Sequence, residues 1–411
     1  MLECEAMAIL ISAQGLGYAH RDKALAAAGS ALALLEDPFA YGRELGENGV
    51  QAIRLALRRS EGMLQALKRE GVSLILREDE RYPRLLGQIA RPPHLLYCLG
   101  QADLSDAFPI AVVGTRSASP YGLRHTRTIC RDLAQAGMCI VSGLALGVDA
   151  AAHEGALEGR GRTIAVLGSS LDEMYPPENE GLMQRILESG GSVISEYAPG
   201  TRPSRYSFLQ RNRIIAGMTL GTLITEGPAR SGAANTARHA LEEGREVFAL
   251  PGDVDRMVSA LPNRLIAEGA CLITRASDII AQLVIEPEQS AGSRRGKKSE
   301  SKSESASENA GGGQAAKRAA KTEAKPAAKS EAKREEKSGA QEAAAVQPGA
   351  QTAALTGAEK AVYDALRQEE LDFDALAERT KIASDELGAL LMMLELDGVI
   401  DALPGCRYRL C

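Results

Sequence analysis

Residues 110–168, IAVVGTRSASPYGLRHTRTICRDLAQAGMCIVSGLALGVDAAAHEGALEGRGRTIAVLG, decide the fold of this 411-residue chain. Three apolar runs each end in a turn of small residues, and a helix-like segment separates each run from the next. The runs are residues 110–113, 139–141 and 163–167, and the helix-like segments are residues 121–136 and 149–157. Continuous apolar strands that alternate with helices are typical of a parallel sheet with both faces covered. The sequence therefore predicts an α/β fold with a Rossmann-like parallel sheet.

The alternation continues beyond this stretch and predicts a core domain over residues 71–286. Further strands are expected at residues 193–194, 220–225 and 246–250. Ligands of such sheets bind beyond the carboxyl ends of the strands. Small residues follow the predicted strands there, namely Gly114, Ser142, Gly143, Gly168 and Gly227. We therefore expect a binding site at this edge of the sheet.

Both ends of the chain predict small separate domains. Residues 1–70 carry apolar residues at helical spacing, which indicates a helical domain. Its turn Gly15-Leu16-Gly17 resembles a helix-hairpin-helix element that grips a DNA backbone, although the same turn also serves as plain punctuation between helices. Residues 353–411 predict three helices and a hairpin, the winged-helix pattern. The third helix, SDELGALLMMLELDG, contains no Lys or Arg, which favours protein contact over DNA reading.

Residues 287–352 differ from the rest in composition and predict a disordered linker. Val346 is their only residue of the VILMFWYC set, so they cannot bury enough apolar surface to order themselves. Thirteen basic residues against nine glutamates give this segment a net charge of +4. It is read as a solvated tether, with weak non-specific DNA contact as the alternative.

The overall composition narrows the class of protein. The net charge of −6 argues against a globally basic nucleic-acid coat but allows a local basic groove. Aromatic residues make up 4% of the chain, with no Trp, so recognition by many stacked rings is not expected. The seven cysteines form no CxxC pair and the five histidines have no ligand-like spacing, so neither metal nor cofactor is expected. No signal peptide or membrane-spanning run is visible, which predicts a cytoplasmic protein without a membrane partner.

An anion site is predicted within residues 202–252, RPSRYSFLQRNRIIAGMTLGTLITEGPARSGAANTARHALEEGREVFALPG. The segment opens with four arginines in twelve positions, and no carboxylate occurs between Glu196 and Glu226. The small-residue turn SGAANTA follows, directly before a helix-like segment. Backbone N–H groups and the helix dipole favour phosphate at such a turn, and arginine adds forked charge-assisted hydrogen bonds. The chain is therefore expected to handle a phosphate-bearing ligand.

Two further segments of the core have the composition of binding sites. In VVGTRSASPYG, residues 112–122, Gly114 lets the backbone approach a phosphate and Arg116 can clamp it, unless this is an ordinary turn followed by a solvated arginine face. In residues 142–157, Asp149 and His153 lie four apart on one helical face, and a satisfied structural pair is favoured over an acid/base pair. No dinucleotide, GxSxG or HExxH motif occurs, so binding is expected rather than catalysis.

Taken together, these segments resemble the DNA-processing protein A family, also called Smf. The resemblance covers residues 72–285 and rests on eight ordered motifs: VVGTRSASPYG, SGLALGVDAAAHEGAL, TIAVLGSSLDEMYPPEN, ISEYAPGTRP, RNRIIAG, Ser231-Gly232, TARHALEEGREVFALPGD and NRLIAEGACLIT. It implies a single-stranded DNA-binding protein that protects incoming strands in natural transformation and loads the RecA recombinase on them. It implies no catalysis, metal or cofactor, and a homodimer built near residues 263–283. The implied dimer contacts are Leu265, Ile266, Leu272, Ile273, Ile279 and Ile280.

The resemblance also implies a set of DNA-binding residues. Arg116 is the main phosphate contact, with Gly114 and Ser117 in the same loop. The remaining members of the set are Ser142, Gly143, Gly168, Arg211, Asn212, Arg213, Ser231 and Gly232. The chain departs from the family at two places: residues 231–236 read SGAANT where SGSLIT is frequent, and Tyr175-Pro-Pro-Glu-Asn179 lacks a nearby lysine. Arg185 is a candidate to supply the missing basic contact.

Two other classes of protein remain open from the sequence. The core also resembles the lysine-decarboxylase-like phosphoribohydrolases, but their PGGxGTxxE signature is absent and the SGAANTA turn contains no carboxylate for hydrolysis. A purely structural scaffold is the third interpretation. Oligonucleotide binding measured beside nucleotide hydrolysis separates the three.

Overall fold

The computed structural model describes residues 1–106, 108–289, 357–367, 369–382, 384–396, 399–403 and 407–410. The predicted linker at residues 287–352 lies, apart from its first three residues, outside these ranges.

The apolar runs of the core fold as strands of a single sheet. The strands are β1 (Ser73–Leu76), β2 (Leu95–Gly100), β3 (Pro109–Val113), β4 (Cys139–Ser142), β5 (Thr163–Val166), β6 (Ser192–Ser195), β7 (Gly221–Ile224), β8 (Glu246–Ala249) and β9 (Cys271–Leu272). Across the described ranges, these nine strands have the order β1-β2-β6-β5-β4-β3-β7-β8-β9. Neighbours from β6 to β9 are parallel, which confirms the predicted fold class. The antiparallel pairs β1–β2 and β2–β6 at one edge were not predicted.

Helices cover both faces of the sheet because the strand residues alternate in direction. In β3, Ile110 and Val112 enter one apolar core while Ala111 and Val113 enter the other. The covering helices are α5 (Pro120–Gln135), α6 (Val148–Glu158), α7 (Glu180–Glu188), α8 (Arg205–Gly217), α9 (Gly232–Glu242), α10 (Ala260–Ala267) and α11 (Ala276–Gln289). Residues of α5, α6, α7 and α11 pack on one face, and residues of α8, α9 and α10 pack on the other.

The N-terminal helices share their core with the edge of the sheet. They are α1 (Glu3–Ser12), α2 (Tyr18–Ala28), α3 (Ala31–Glu36) and α4 (Gly42–Arg69), which is kinked at Gly46. Leu95 and Tyr97 of β2 are fully buried among their apolar residues, and the Tyr97 hydroxyl donates to the Ala8 carbonyl oxygen. This group of helices therefore depends on β2 to complete its core.

The C-terminal residues form the predicted winged helix. Its helices are α12 (Gly357–Leu366), α13 (Phe373–Thr380) and α14 (Ser384–Leu396), and its strands are β10 (Leu371–Asp372), β11 (Ile400–Leu403) and β12 (Arg407–Leu410). The strands pair in the order β10-β12-β11, and Val362, Leu376, Leu387 and Leu391 belong to a separate apolar core.

The segment predicted to form a dimer interface is largely occupied within the chain itself. Leu265, Ile273 and Ile279 are buried in the cores beside the sheet, because α10 and α11 pack their apolar sides against it. These three residues are therefore unsuitable as dimer contacts in this conformation. Leu272, on the edge strand β9, is 50% exposed and remains a candidate.

Candidate nucleic-acid interface

A cleft opens at the carboxyl ends of β3 and β7, where the strand order reverses. This is the position at which open α/β sheets bind ligands. The loops after these strands meet there, since the Thr115 N–H donates to the Glu226 carbonyl oxygen at 2.8 Å. The cleft has a volume of about 660 Å³. Its lining includes Gly114, Arg116, Tyr175, Phe208, Arg211, Asn212, Ser231 and Gly232.

The N-terminus of α5, expected to hold a phosphate, is occupied by the chain's own carboxylate. Glu226 accepts hydrogen bonds from the Ser119 N–H at 2.8 Å and from the Ser119 hydroxyl at 2.6 Å. Gly122 leaves room for this carboxylate, because a Cβ there would collide with it. Glu226 is 1% exposed, so it fills the place that a helix dipole would offer to an anion.

Arg116 lies at the rim of the cleft and is exposed. Its guanidinium carbon lies 5.3 Å from the centre of the Phe208 ring, within the range of a cation–π contact. No ion pair joins Arg116 to a carboxylate among the residues that the structure describes. Its charge is therefore available to a phosphate.

Arg211 is buried and braces the floor of the cleft. Its Nη1 donates to the Gly143 carbonyl oxygen at 2.9 Å and also to the Val166 carbonyl oxygen. Gly143 is required here, because a Cβ would lie 2.5 Å from Arg211 Nη1. Burial lowers the pKa of Arg211 to about 10, so the side chain is still a cation at neutral pH. Gly143 itself borders a small recess beside the cleft.

The N-terminus of α9 faces the cleft and is a candidate anion site. Ser231 is its N-cap residue but makes no capping hydrogen bond, and its hydroxyl has no hydrogen-bond partner in the described part of the chain. Asn212 fixes this helix end, since its Nδ2 donates to the Gly232 carbonyl oxygen at 3.2 Å and to Asn235 Oδ1 at 3.1 Å. Unpaired N–H groups and the helix dipole favour a phosphate at this position.

Two aromatic residues that sequence reasoning missed form a wall of the cleft. The Tyr175 and Phe208 rings lie 5.8 Å apart at 47°. Gly168 makes space for Phe208, because a Cβ at this glycine would lie 2.5 Å from the ring. The sequence did contain a signal, since Phe208 lies between the arginines of the predicted anion site. This wall offers a stacking surface to an unpaired base.

Arg213 was expected to contact DNA, but it lies outside the cleft lining. It is 7% exposed, and its Nη2 lies 2.5 Å from Glu196 Oε2. The Glu196 charge raises the pKa of Arg213. The charges of Glu196 and Arg213 also act on the pKa of Tyr18, in the N-terminal helix α2. Arg213 therefore joins β6, α8 and the N-terminal helices rather than facing a ligand.

Some of the other predicted site residues are buried in the fold, and others lie in or beside the cleft. Ser142 is fully buried and its hydroxyl donates to the Val112 carbonyl oxygen at 2.7 Å, so it joins two strands. Gly114 lines the cleft but also permits close packing, since a Cβ would lie 2.5 Å from Val148 Cγ2. Ser117 is exposed beside Arg116, and its N–H donates to the Thr115 hydroxyl.

The expected pair of Asp149 and His153 has separate partners. Asp149 accepts the Gly143 N–H at 3.1 Å, while His153 Nδ1 lies 2.7 Å from the Thr163 hydroxyl. Burial lowers the pKa of His153 to about 3, which keeps the ring neutral. Both residues therefore support the strand ends, and no acid/base pair forms between them.

Arginines on the face of α5 are paired with carboxylates of α6 and of α5 itself. Arg127 pairs with Glu154 and lies 3.6 Å from Glu158. Arg131 lies 2.8 Å from Asp132. These pairs support the alternative of an ordinary solvated face, and Arg116 is the arginine of this segment that lines the cleft.

Membrane-spanning helices and metal-ligand clusters are both absent from the described ranges. No helix there is long and apolar enough to cross a membrane. No group of three or more His, Cys, Asp or Glu residues in those ranges is arranged to hold a metal ion.

The fold and the cleft define a Rossmann-like α/β protein with a basic, aromatic-walled site at its topological switch point and a winged-helix tail. Residues 73–284 match the family described as DNA recombination-mediator protein A, and residues 346–406 match the DprA winged helix domain. The chain therefore belongs to the DprA/Smf family.

Several relatives are known. Protein Smf of Escherichia coli is 42% identical over 223 residues, covering 54% of this chain and 60% of that protein. DNA processing protein DprA of Streptococcus pneumoniae is 42% identical over 204 residues, covering 50% of this chain and 72% of that protein. The chain spans less than two thirds of the Escherichia coli relative and 56% of the Synechocystis one. The X-ray structure of the Streptococcus pneumoniae protein is 34% identical, with a TM-score of 0.58, and covers 69% of this chain and 98% of that one.

Proposed function

We propose that this protein binds single-stranded DNA in the cleft, protects incoming strands in natural transformation and loads the RecA recombinase on them. The observation that carries the proposal is the combination of Arg116, the open N-terminus of α9 and the aromatic wall in one cleft. Family membership supports the wider role in DNA processing.

The cleft has separate places for the two parts of a nucleotide. Arg116 and the N–H groups of Gly232 and its neighbours form the phosphate side. Tyr175 and Phe208 form the base side. Bases of a duplex are stacked on each other, so these rings favour a single strand with accessible bases.

The proposed contact set is smaller than the set expected from the sequence. It contains Gly114, Arg116, Asn212, Ser231, Gly232 and the two aromatic residues, with Ser117 at the margin. Arg211, Gly143 and Gly168 shape the cleft from beneath, while Ser142 and Arg213 stabilise the fold. The role proposed is binding without catalysis, metal or cofactor.

Partners belong to the same proposal. A homodimer is supported by one exposed apolar residue at the β9 edge of the sheet, since Leu272 is 50% exposed on the last strand. An uncovered edge strand favours pairing with a second chain. RecA loading rests on the family resemblance alone.

The test is a fluorescence titration of labelled single-stranded and double-stranded oligonucleotides at several salt concentrations. We expect preference for the single strand, and Arg116→Ala should cost about 1.5–3 kcal/mol of binding free energy. Loss of one phosphate contact should also reduce the log–log salt slope by about 0.7.

Arg127→Ala is the matched control, because Arg127 lies on the same segment but is paired with α6. Equal affinities of the Arg116→Ala variant and the wild type, with equal melting temperatures, would refute the assignment. A RecA strand-exchange assay on the same oligonucleotide tests the loading role separately.

A further inference from the structure

The winged-helix tail contacts the core at the edge of the proposed DNA cleft. Asp401 of β11 lies 2.6 Å from the guanidinium of Arg230, in the loop between β7 and α9. Helix α14 packs against α8. Met1–Pro287 and Leu355–Cys411 accordingly form one compact unit.

Both contacts involve segments that also carry residues of the cleft lining. Arg230 directly precedes Ser231 and Gly232, which line the cleft at the open N-terminus of α9. Helix α8 carries Arg205, Phe208 and Arg211, which also line the cleft. A tail domain held at these two points occupies space beside the proposed path of the strand.

The tail places a negative charge at this contact, as a nucleic-acid backbone would. Helix α14 contains Asp385, Glu386 and Glu395 and no Lys or Arg. Asp401 presents a carboxylate to an arginine, which is the contact that a phosphate makes. Its neighbour on the hairpin, Arg409, lies farther from it, at 3.6 Å.

We propose that the winged helix, through Asp401 and the acidic helix α14, is a DNA mimic that docks on the basic rim of the cleft and competes with single-stranded DNA. The docking partner of this domain is then the chain's own core, and the acidic third helix serves this contact instead of reading a duplex. The proposal rests on the proposed function of the cleft, whose regulation it concerns.

The expected effect is modest because the ion pair is exposed. Arg230 and Asp401 side chains are 49% and 30% exposed, and such pairs contribute little in water. Asp401→Asn should therefore raise the affinity for single-stranded DNA by about two- to fivefold at low salt. The difference should shrink at high salt, because screening weakens the docked state.

The experiment combines DNA titration with hydrogen exchange on the full chain. Glu378→Gln is the matched control, since it removes one carboxylate from an exposed position of α13. Amide exchange without DNA should be faster in α8 and α14 of Asp401→Asn than in the wild type, and unchanged in α12 and α13. A chain ending after residue 289 should bind at least as tightly as Asp401→Asn, whatever that variant does to the fold of the tail.

Each outcome supports or overturns the proposal that the tail is a DNA mimic. Tighter binding by Asp401→Asn and by the shortened chain, with unchanged binding by Glu378→Gln, supports the mimic. Equal affinity for all four proteins at low salt overturns it, even if DNA binding itself is strong. If none of the four proteins binds single-stranded DNA, the proposed function fails. Amide exchange in α8 then still tests whether the tail docks on the core, and equal exchange rates in the full chain and in the shortened chain overturn the docking.

Discussion

Arg116 and Arg213 both lie in segments that predict anion binding, yet the fold places them in opposite environments. Arg116 is exposed at the cleft, whereas Arg213 is buried against Glu196. The sequence indicated Arg213 as a cation without a counter-charge, because its partner lies 17 positions earlier, beyond a strand end. Pairings of this kind depend on the fold, so local charge patterns do not predict them.

At this scale, Arg213→Ala should destabilise the protein by about 3–5 kcal/mol, because it leaves the Glu196 charge buried without a partner. Urea unfolding measures the change. The double variant Glu196→Gln, Arg213→Met should recover most of the stability, since no buried charge is left unpaired. If the Arg213→Ala variant is as stable as the wild type but binds DNA more weakly, Arg213 contacts DNA instead of stabilising the fold.

His153 should make stability depend on pH. Its pKa is lowered to about 3 in the folded state, while the unfolded value is about 6.5. The unfolded chain therefore binds the extra proton first, and stability is lost as the pH falls from about 6.5 towards 3. The loss should be about 1.4 kcal/mol per pH unit.

The comparison that isolates this effect is between the wild type and His153→Gln, unfolded in urea at pH 7, 6 and 5. The variant should lack this part of the decline. Parallel stability curves for the two proteins would contradict the assignment.

At the scale of the element, α8 explains why an arginine cluster in sequence is not a cluster in space. Phe208, Arg211 and Asn212 are spaced i, i+3 and i+4, so they share the helix face that borders the cleft. Arg213 is one further position along, and its side chain turns towards Glu196. Neither this helix nor its face was predicted from the sequence, and the face is set by the packing of α8 on the sheet.

The Phe208 ring should stack on a base. Phe208→Ala should weaken binding of an oligonucleotide by about 1–3 kcal/mol, and Phe208→Tyr should retain most of the affinity. Repeating the titration with an abasic oligonucleotide of equal length is the decisive control. If the alanine variant weakens abasic binding just as much, the ring does not act through base stacking.

Strands β3 to β8 and helices α5 and α6 were predicted to within about two residues, because continuous apolar runs between small-residue turns have few alternatives. Ile110–Val113 was predicted and Pro109–Val113 is observed. The β1–β2 pair was missed, since short half-buried runs such as Ser73–Leu76 carry little pattern. The hydrogen bonds from Ser119 to Glu226 join positions 107 residues apart and leave no signal in a single sequence.

At the scale of the whole molecule, charge distribution matters more than net charge. The chain carries −6 overall, yet the rim of one cleft is basic. The tail domain and the core have separate apolar cores, and the charged contact between Asp401 and Arg230 joins their surfaces. The predicted winged-helix fold of the tail is confirmed, while the contact between tail and core was not predicted from the sequence.

Removal of everything after residue 289 should leave a folded, dimeric protein that binds single-stranded DNA. The cut preserves α11, which ends at Gln289, and keeps every residue of the cleft. Sedimentation and oligonucleotide titration measure the two properties. A monomer, or a more than tenfold loss of affinity (about 1.4 kcal/mol), would mean that the tail completes the binding surface.

The Glu226 carboxylate at the start of α5 has a consequence for the choice of ligand. In many proteins of this architecture, the same helix end is the seat of a mononucleotide or dinucleotide phosphate. Here the Glu226 carboxyl group occupies this position, so a free nucleotide such as ATP or NAD cannot place its phosphate there. A nucleic-acid strand would spread its contacts over the rest of the cleft and does not need this position. The carboxylate therefore favours binding of a strand over binding of a free nucleotide.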